Sequence, residues 1–401
     1  MRRRRLESAV RRFSSFSLYF CFYAGVAFIG SFVVLFYQKL GFSGAQIGVL
    51  SGLSPLLTLL FAPVWTGLAD FTRRPRWVLS VVLIGTGLSS FVYPQLKTFA
   101  LVLVISVVYS ACASPITSLA DSAAVTLLGG DREMYGRLRL GGTIGYALAA
   151  PVAGILVQSY GLAAAFIGNA VMLLLALLAT QGLWPSASPP AAPASSPAHI
   201  SVGASSRKLM TDPRWLLFLA GAFAGGLGLS AANVYFFPYL KEVGATESTM
   251  GLALSLGVVL EIPLLFFGHH LLRWLKSYRL FVVALFITGA RLVLFGLARS
   301  TGQALVIQAF NGLCFPAFWL AAVAYAAESS PPGLSATAQG LLGATVFGVS
   351  SAIGGLAGGL LLAQIGAHRM FLVFGLTVLI LMGLVVVAGW ALGRRQKARA
   401  H

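Results

Sequence analysis

Very few residues of this chain can do chemistry. Of its 401 residues 58% are hydrophobic and 9% charged. Within the long apolar stretches the ionisable side chains reduce to Asp121, Glu261 and Arg291, with Arg139 near the edge of one stretch. A carboxylate in such a place can take up and release a proton, and a guanidinium can grip hydroxyl or carboxylate oxygens through two donors at once. Either is costly in an apolar medium without a partner or water, so each marks a candidate site. Tyr146 follows Arg139 by two helical turns and projects from nearly the same face, offering a ring. Asn311 adds an amide that can donate and accept. The other reactive types form no constellation. His269 and His270 are adjacent, so on a helix they point about 100° apart, and Cys21, Cys112 and Cys314 stand singly. No nucleophile with its base and no metal set can be assembled, which argues against an enzyme.

The elements that position these residues follow from composition. So much apolar surface cannot be buried inside a globule of this size, and it must face lipid. A bilayer core about 30 Å thick needs roughly 20 apolar residues per helix, and the chain divides into spans near 14–38, 44–69, 77–95, 98–128, 139–160, 162–184, 214–240, 246–270, 279–298, 302–327, 334–364 and 368–392. The net charge of +18 is a topology signal and not a nucleic-acid signature. With both termini inside, only Lys39, Lys97, Lys241, Arg299 and Arg369 of the loop Lys and Arg fall outside, as the positive-inside bias requires. The run RRFSSFSLYF opens the first span and is read as uncleaved.

Residues 1–184 and 214–401 hold six spans each, joined by a Pro, Ala and Ser-rich linker at 185–213 that cannot build a core. The halves echo each other. KLGFSGAQIGVLSGL at 39–53 aligns without gaps on EVGATESTMGLALSL at 242–256, placing Gly41 over Gly244, and GILVQSYG ending at Gly161 matches GLLLAQIG ending at Gly366. Such symmetry marks a duplicated six-helix bundle. GGLAGG, from Gly354 to Gly359, predicts close helix contacts in the eleventh span.

Two motifs carry a resemblance to a known family. WTGLADFTRRPRW, between the second and third spans, resembles the loop signature of the major facilitator superfamily through Asp70, Arg74 and Arg76, with Arg73 where the signature has its loop glycine. The resemblance assigns these three residues to a cytoplasmic gate. YGRLRLGGTIGY, from Tyr135 to Tyr146, resembles the start of the fifth helix in the lactose permease and phenylpropionate permease group. That group's pattern puts its sugar-binding arginine on Arg139, its partner carboxylate on Asp121 and its stacking aromatic on Tyr146, and its ninth-helix arginine on Arg291. Its eighth-helix glutamate falls on Val258, one turn before Glu261. In the tenth span the chain departs from the pattern, carrying Asn311 and Cys314 in place of a histidine and the glutamate that exchanges the proton. Proton coupling is therefore expected from Glu261 first and Asp121 second, with substrate contacts from Asp121, Arg139, Tyr146, Arg291 and Asn311.

The expectation is an all-α membrane protein of twelve transmembrane helices in two pseudo-symmetric six-helix bundles. It implies a secondary transporter, working as a monomer in the plasma membrane, that moves a small organic solute (sugar, aromatic acid or nucleoside) by alternating access and proton symport. No cofactor is expected beyond a proton gradient, since the chain has no GxxxxGK[ST] nucleotide signature. Proton-coupled efflux is the alternative, and a non-transporting sensor the remote one.

Overall fold

The computed structural model describes residues 2–128, 132–183, 211–331 and 334–399. Among them every regular element is a helix. Apart from 211–213, the linker expected at 185–213 lies outside the described residues. In chain order the helices are α1 (Arg2–Ile29), α2 (Phe32–Lys39), α3 (Gly44–Thr72), α4 (Pro75–Val92), α5 (Phe99–Ala113), α6 (Ile116–Leu128), α7 (Arg132–Tyr160) and α8 (Ala163–Gln181). Then come α9 (Pro213–Val234), α10 (Phe236–Glu242), α11 (Glu247–Val259), α12 (Ile262–Leu275), α13 (Ser277–Leu297), α14 (Thr301–Ala309), α15 (Asn311–Ser329), α16 (Ser335–Gly343) and α17 (Ser350–Arg399). Eleven helical stretches among the described residues are long and apolar enough to cross a membrane. The last, Ser335–Leu392, contains two spans, because Gly366 at φ 78° breaks α17 between them. The expected twelve spans are thus present in an all-α membrane protein.

Several spans are made of two helices, and the breaks have local causes. Pro115 stands between α5 and α6, lacking the N–H that would continue the helix. Pro263, just inside α12, can give no hydrogen bond to the carbonyl of Val259, the last residue of α11, and the chain turns at Leu260–Glu261. Between α16 and α17 the segment Ala344–Val349 is a π-helix. Its surplus carbonyls are taken by hydroxyls: Ser350 Oγ donates to Thr345 O at 2.6 Å and Ser351 Oγ to Val346 O at 3.1 Å.

The chain forms two compact units, the described residues within Met1–Ala194 and Ala245–Val258 making up one, those within Ser195–Gly244 and Val259–His401 the other. In the first, α1 packs along α7 and α8, and α4 along α8 and α5, around a core that includes Leu18, Val78, Leu79, Val82, Ile116 and Leu173. Residues 245–258, in the second half of the sequence, belong to this unit because α11 lies against α7. A Cβ on Gly251 would fall 2.3 Å from Ala150 O, and Ser255 Oγ donates to Ala147 O at 2.5 Å. Such contacts need small residues, which let helices close up in lipid. In the second unit α9 and α13 pack on α17, and α13 on α15, about a core with Trp215, Phe218, Phe281 and Phe318. Gly354 and Gly358, from the GGLAGG run, abut Ser230 and the ring of Tyr235.

The repeat is visible in the backbone. Gly41 and Gly244, paired by the internal alignment, both take positive φ (75° and 82°), as do Gly161 and Gly366 (83° and 78°). Gly366 opens a turn held by Glu242, whose Oε2 accepts from Ala367 N at 2.7 Å while Oε1 meets His368 Nδ1 at 2.8 Å. His368 Nε2 faces Ala298 O at 2.8 Å.

Arg73 ends α3 in the left-handed region, at φ 52° and ψ 30°, where a side chain costs about 1 kcal/mol or more. This explains why the related loop signature has glycine there. Arg73→Gly stabilises the purified protein by up to about 1 kcal/mol, the left-handed penalty less the entropy glycine adds to the unfolded chain, and raises its unfolding midpoint, whereas Arg73→Val lowers it. Thermal unfolding in detergent that ranks the two variants the other way would contradict this account.

Candidate functional site

Each unit gathers its own intramembrane charges. In the first, α7 begins at Arg132, so Arg137 and Arg139 are both helical. Helix α1 comes close enough to α7 to reach this region because of the glycines in LGGTIGY. A Cβ on Gly145 would lie 2.3 Å from Phe20 O, and one on Gly141 2.8 Å from Phe16 O. That approach carries Tyr19, which is buried, over to α6, where its hydroxyl donates to Asp121 Oδ1 at 2.5 Å. Arg139 Nη1 stands 3.9 Å from Asp121 Oδ2 and donates to Tyr135 OH at 3.2 Å, one turn back on its own helix.

The pair expected from sequence is therefore brought together, but loosely. The Arg139 side chain is 50% exposed and that of Asp121 28%, so neither depends on the other for burial. Both keep hydrogen-bonding capacity: a guanidinium has five N–H donors and a carboxylate about four acceptor sites, of which the contacts above take only some. Tyr146 sits two turns along α7, partly buried.

The second unit is built differently. Arg291, on α13, is 4% exposed and lies over the ring of Phe295 at 5.2 Å. Its Nη1 donates to Asn311 Oδ1 at 2.6 Å and its Nη2 to Gln308 Oε1 at 3.1 Å. Asn311 Nδ2 in turn donates to Glu261 Oε1 at 3.3 Å. One amide thus joins a carboxylate at the α11–α12 break to a buried guanidinium. Gly312 permits the join, since a Cβ there would fall 2.3 Å from the backbone of Leu260. Cys314, where the related pattern has its proton-exchanging glutamate, is buried and interacts with Arg291.

The residues expected at a gate lie at the junction of α3 and α4. Asp70 is exposed at the end of α3 and its backbone carbonyl accepts from Arg73 N at 3.3 Å; Arg74 is exposed at the start of α4. Arg76 Nη2 turns to Gln181 Oε1 on α8, at 2.6 Å. Tyr19, Tyr135 and Gln308 were not among the expected site residues. Tyr19 carried no signal beyond a hydroxyl among apolar neighbours. Gln308 did, as a polar residue one turn before Asn311.

Residues 14–373 match the model of the MFS_1 like family. The chain belongs to this family. Over 386 residues it is 28% identical to the maltose permease of Geobacillus stearothermophilus, covering 93% of this chain and 95% of that protein. It is 26% identical to the uncharacterized transporter YwbF of Bacillus subtilis, over 86% of this chain and 84% of the other. The crystal structure of the nucleoside transporter NupG superposes with a TM-score of 0.81 at 18% identity, over 95% of this chain and 98% of that one, which is evidence of a common fold. The MFS_1 like protein described here is accordingly a multi-pass membrane transporter and not an enzyme.

The Glu261–Asn311–Arg291 chain generates a prediction about stability. Asn311→Leu removes an acceptor from a buried guanidinium and the donor facing Glu261, at about 1–3 kcal/mol. The unfolding midpoint in detergent drops accordingly, and drops less for Asn311→Gln, which keeps both functions. Equal midpoints for wild type and Asn311→Leu would remove the amide from the network.

Proposed function

We propose that this transporter carries a neutral, polyhydroxylated solute, a sugar before a nucleoside, by alternating access and symport with a proton. The observation that supports this reading is the Asp121–Arg139 pair: a donor and an acceptor, side by side and partly exposed, with the Tyr135 hydroxyl adjoining. A hydroxyl both donates and accepts, so vicinal hydroxyls can bridge such a pair without changing its net charge. An aromatic acid also fits a guanidinium, but its carboxylate would compete with Asp121 for Arg139. Tyr146 supplies a ring for stacking on a sugar face. The sugar class agrees with the name of the maltose permease relative.

Glu261 is the proton carrier in this reading. Its carboxylate is tied through Asn311 to Arg291 and sits where α11 turns into α12. Protonation cancels its charge, weakens the charge-assisted bond from Asn311 and leaves Arg291 without its counter-charge. A bound proton therefore acts on a break in a spanning helix, the kind of place where a helix can change its bend. Asp121 is the second carboxylate available, and Asn311 and Arg291 pass the change on. Asp70, Arg74 and Arg76 would serve as the cytoplasmic gate, with both termini on the cytoplasmic side of the plasma membrane and the monomer as the working unit.

The test is proton movement in energy-depleted cells on addition of sugars, nucleosides and aryl acids. External alkalinisation is expected with a sugar. It falls at least about tenfold in Arg139→Ala, since a hydrogen bond to a charged group is worth roughly 1.5–3 kcal/mol. Glu261→Gln retains solute exchange and loses uphill accumulation; unimpaired accumulation in that variant removes Glu261 from the coupling. Alkalinisation with aryl acids alone overturns the substrate class, and silence across the panel with proton-driven dye efflux overturns the direction.

A further inference from the structure

We infer that the second unit binds an anionic phospholipid of the membrane in a groove along α12, with hydrocarbon against Phe267, Leu271, Trp274 and Leu313 and phosphate at Arg273 and Lys276. The groove is a cavity of about 450 Å³, lined by Pro263, Leu264, Phe267, Gly268, His270, Leu271 and Trp274 of α12 and by Leu313 of α15. Phe267, Leu271 and Trp274 recur at helical spacing and so form one wall. Two of them are largely bare, Phe267 at 67% exposed and Trp274 at 81%. Gly268 brings the helices together behind that wall, as a Cβ there would lie 2.5 Å from Leu320 Cδ2.

Length, lining and charge together point to the occupant. From Pro263 to Trp274 the wall rises about 16 Å at 1.5 Å per residue, close to half of the roughly 30 Å hydrocarbon core. The groove is as deep as one leaflet. Its inner end stops at the helix break by Glu261, and its outer end opens beside Arg273, Lys276 and Arg279, all exposed. Glu328, an acid at this end, accepts a hydrogen bond from the Ser277 hydroxyl. A tryptophan at headgroup level with basic residues next to it is how a spanning helix meets an anionic interface. Among the described lining side chains only the His270 ring and the Trp274 indole N–H are polar, so a polyhydroxylated solute would find little to bond. An acyl chain needs no such partner, and its phosphate matches the cationic end.

Quenching of Trp274 by brominated lipid tests this in full-length protein reconstituted in phosphatidylcholine vesicles. The Trp274 contribution is the emission lost in Trp274→Phe. Brominated phosphatidylglycerol is expected to quench it at a mole fraction at least about fivefold lower than brominated phosphatidylcholine, the order one basic residue near an anionic surface contributes. The Arg273→Gln, Lys276→Gln double variant loses that preference. Leu313→Phe, which fills the groove, weakens quenching by both lipids, and unfolding midpoints verify that the variants are folded. Equal quenching by the two lipids in wild type overturns the proposal, since the contact is then with bulk lipid. Relief of quenching by a transported solute also overturns it, making the groove part of the solute path.

Discussion

A charge inside a bilayer must find its partner within the protein, because lipid offers none. That constraint organises this transporter more than any single contact. Its intramembrane charges divide between the two compact units, and each unit resolves them internally. Asp121 and Arg139 meet in the first, and Glu261 and Arg291 are joined by one amide in the second. The glycines of the YGRLRLGGTIGY stretch, the proline after Glu261 and the small residue after Asn311 all bring backbone close enough for these partners to reach each other.

The two solutions differ in kind, and the difference bears on function. Arg291 is buried, and both its terminal amino groups have acceptors. Opening that network would expose an unpaired charge to a low dielectric, a costly event unless Glu261 changes its own charge at the same time. Arg139 is half exposed and stands at the outer limit of an ion pair. It can exchange one oxygen for another at little cost. A buried guanidinium with both terminal amino groups engaged suits a coupling element, and a loosely held one suits recognition of a solute that must also leave.

How much of this was legible in the sequence depends on how local each feature is. The spans follow from composition, and the pairing of Gly41 with Gly244 and of Gly161 with Gly366 from a gap-free internal alignment, which depend on neighbouring residues alone. The proximity of Asp121 and Arg139 was legible only through the resemblance of YGRLRLGGTIGY to the lactose permease group, whose pattern puts the partner carboxylate on Asp121. Tyr19 was not, since its role depends on how closely α1 approaches α7, a distance set by Gly141 and Gly145 and not by anything near Tyr19. The grouping of residues 245–258 with the first unit is also a packing result, produced by Gly251 and Ser255 against the backbone of α7.

Asn311 shows where pattern comparison stops and geometry begins. Set against the lactose permease group, Asn311 and Cys314 read as a loss, because a titratable pair is replaced by two residues that do not fill its role. The structure places Asn311 between a carboxylate and a guanidinium, where an amide has the advantage of being donor to one and acceptor to the other without charge of its own. A histidine can bridge in that way in only one tautomer and gains a charge when protonated. With an asparagine the bridge is fixed in sense, and the only charge that can change across it is that of Glu261. Loss of the titratable pair in the tenth span therefore concentrates any proton response on the carboxylate at the break of the eighth, which is the residue whose change of charge the surrounding backbone is best placed to follow.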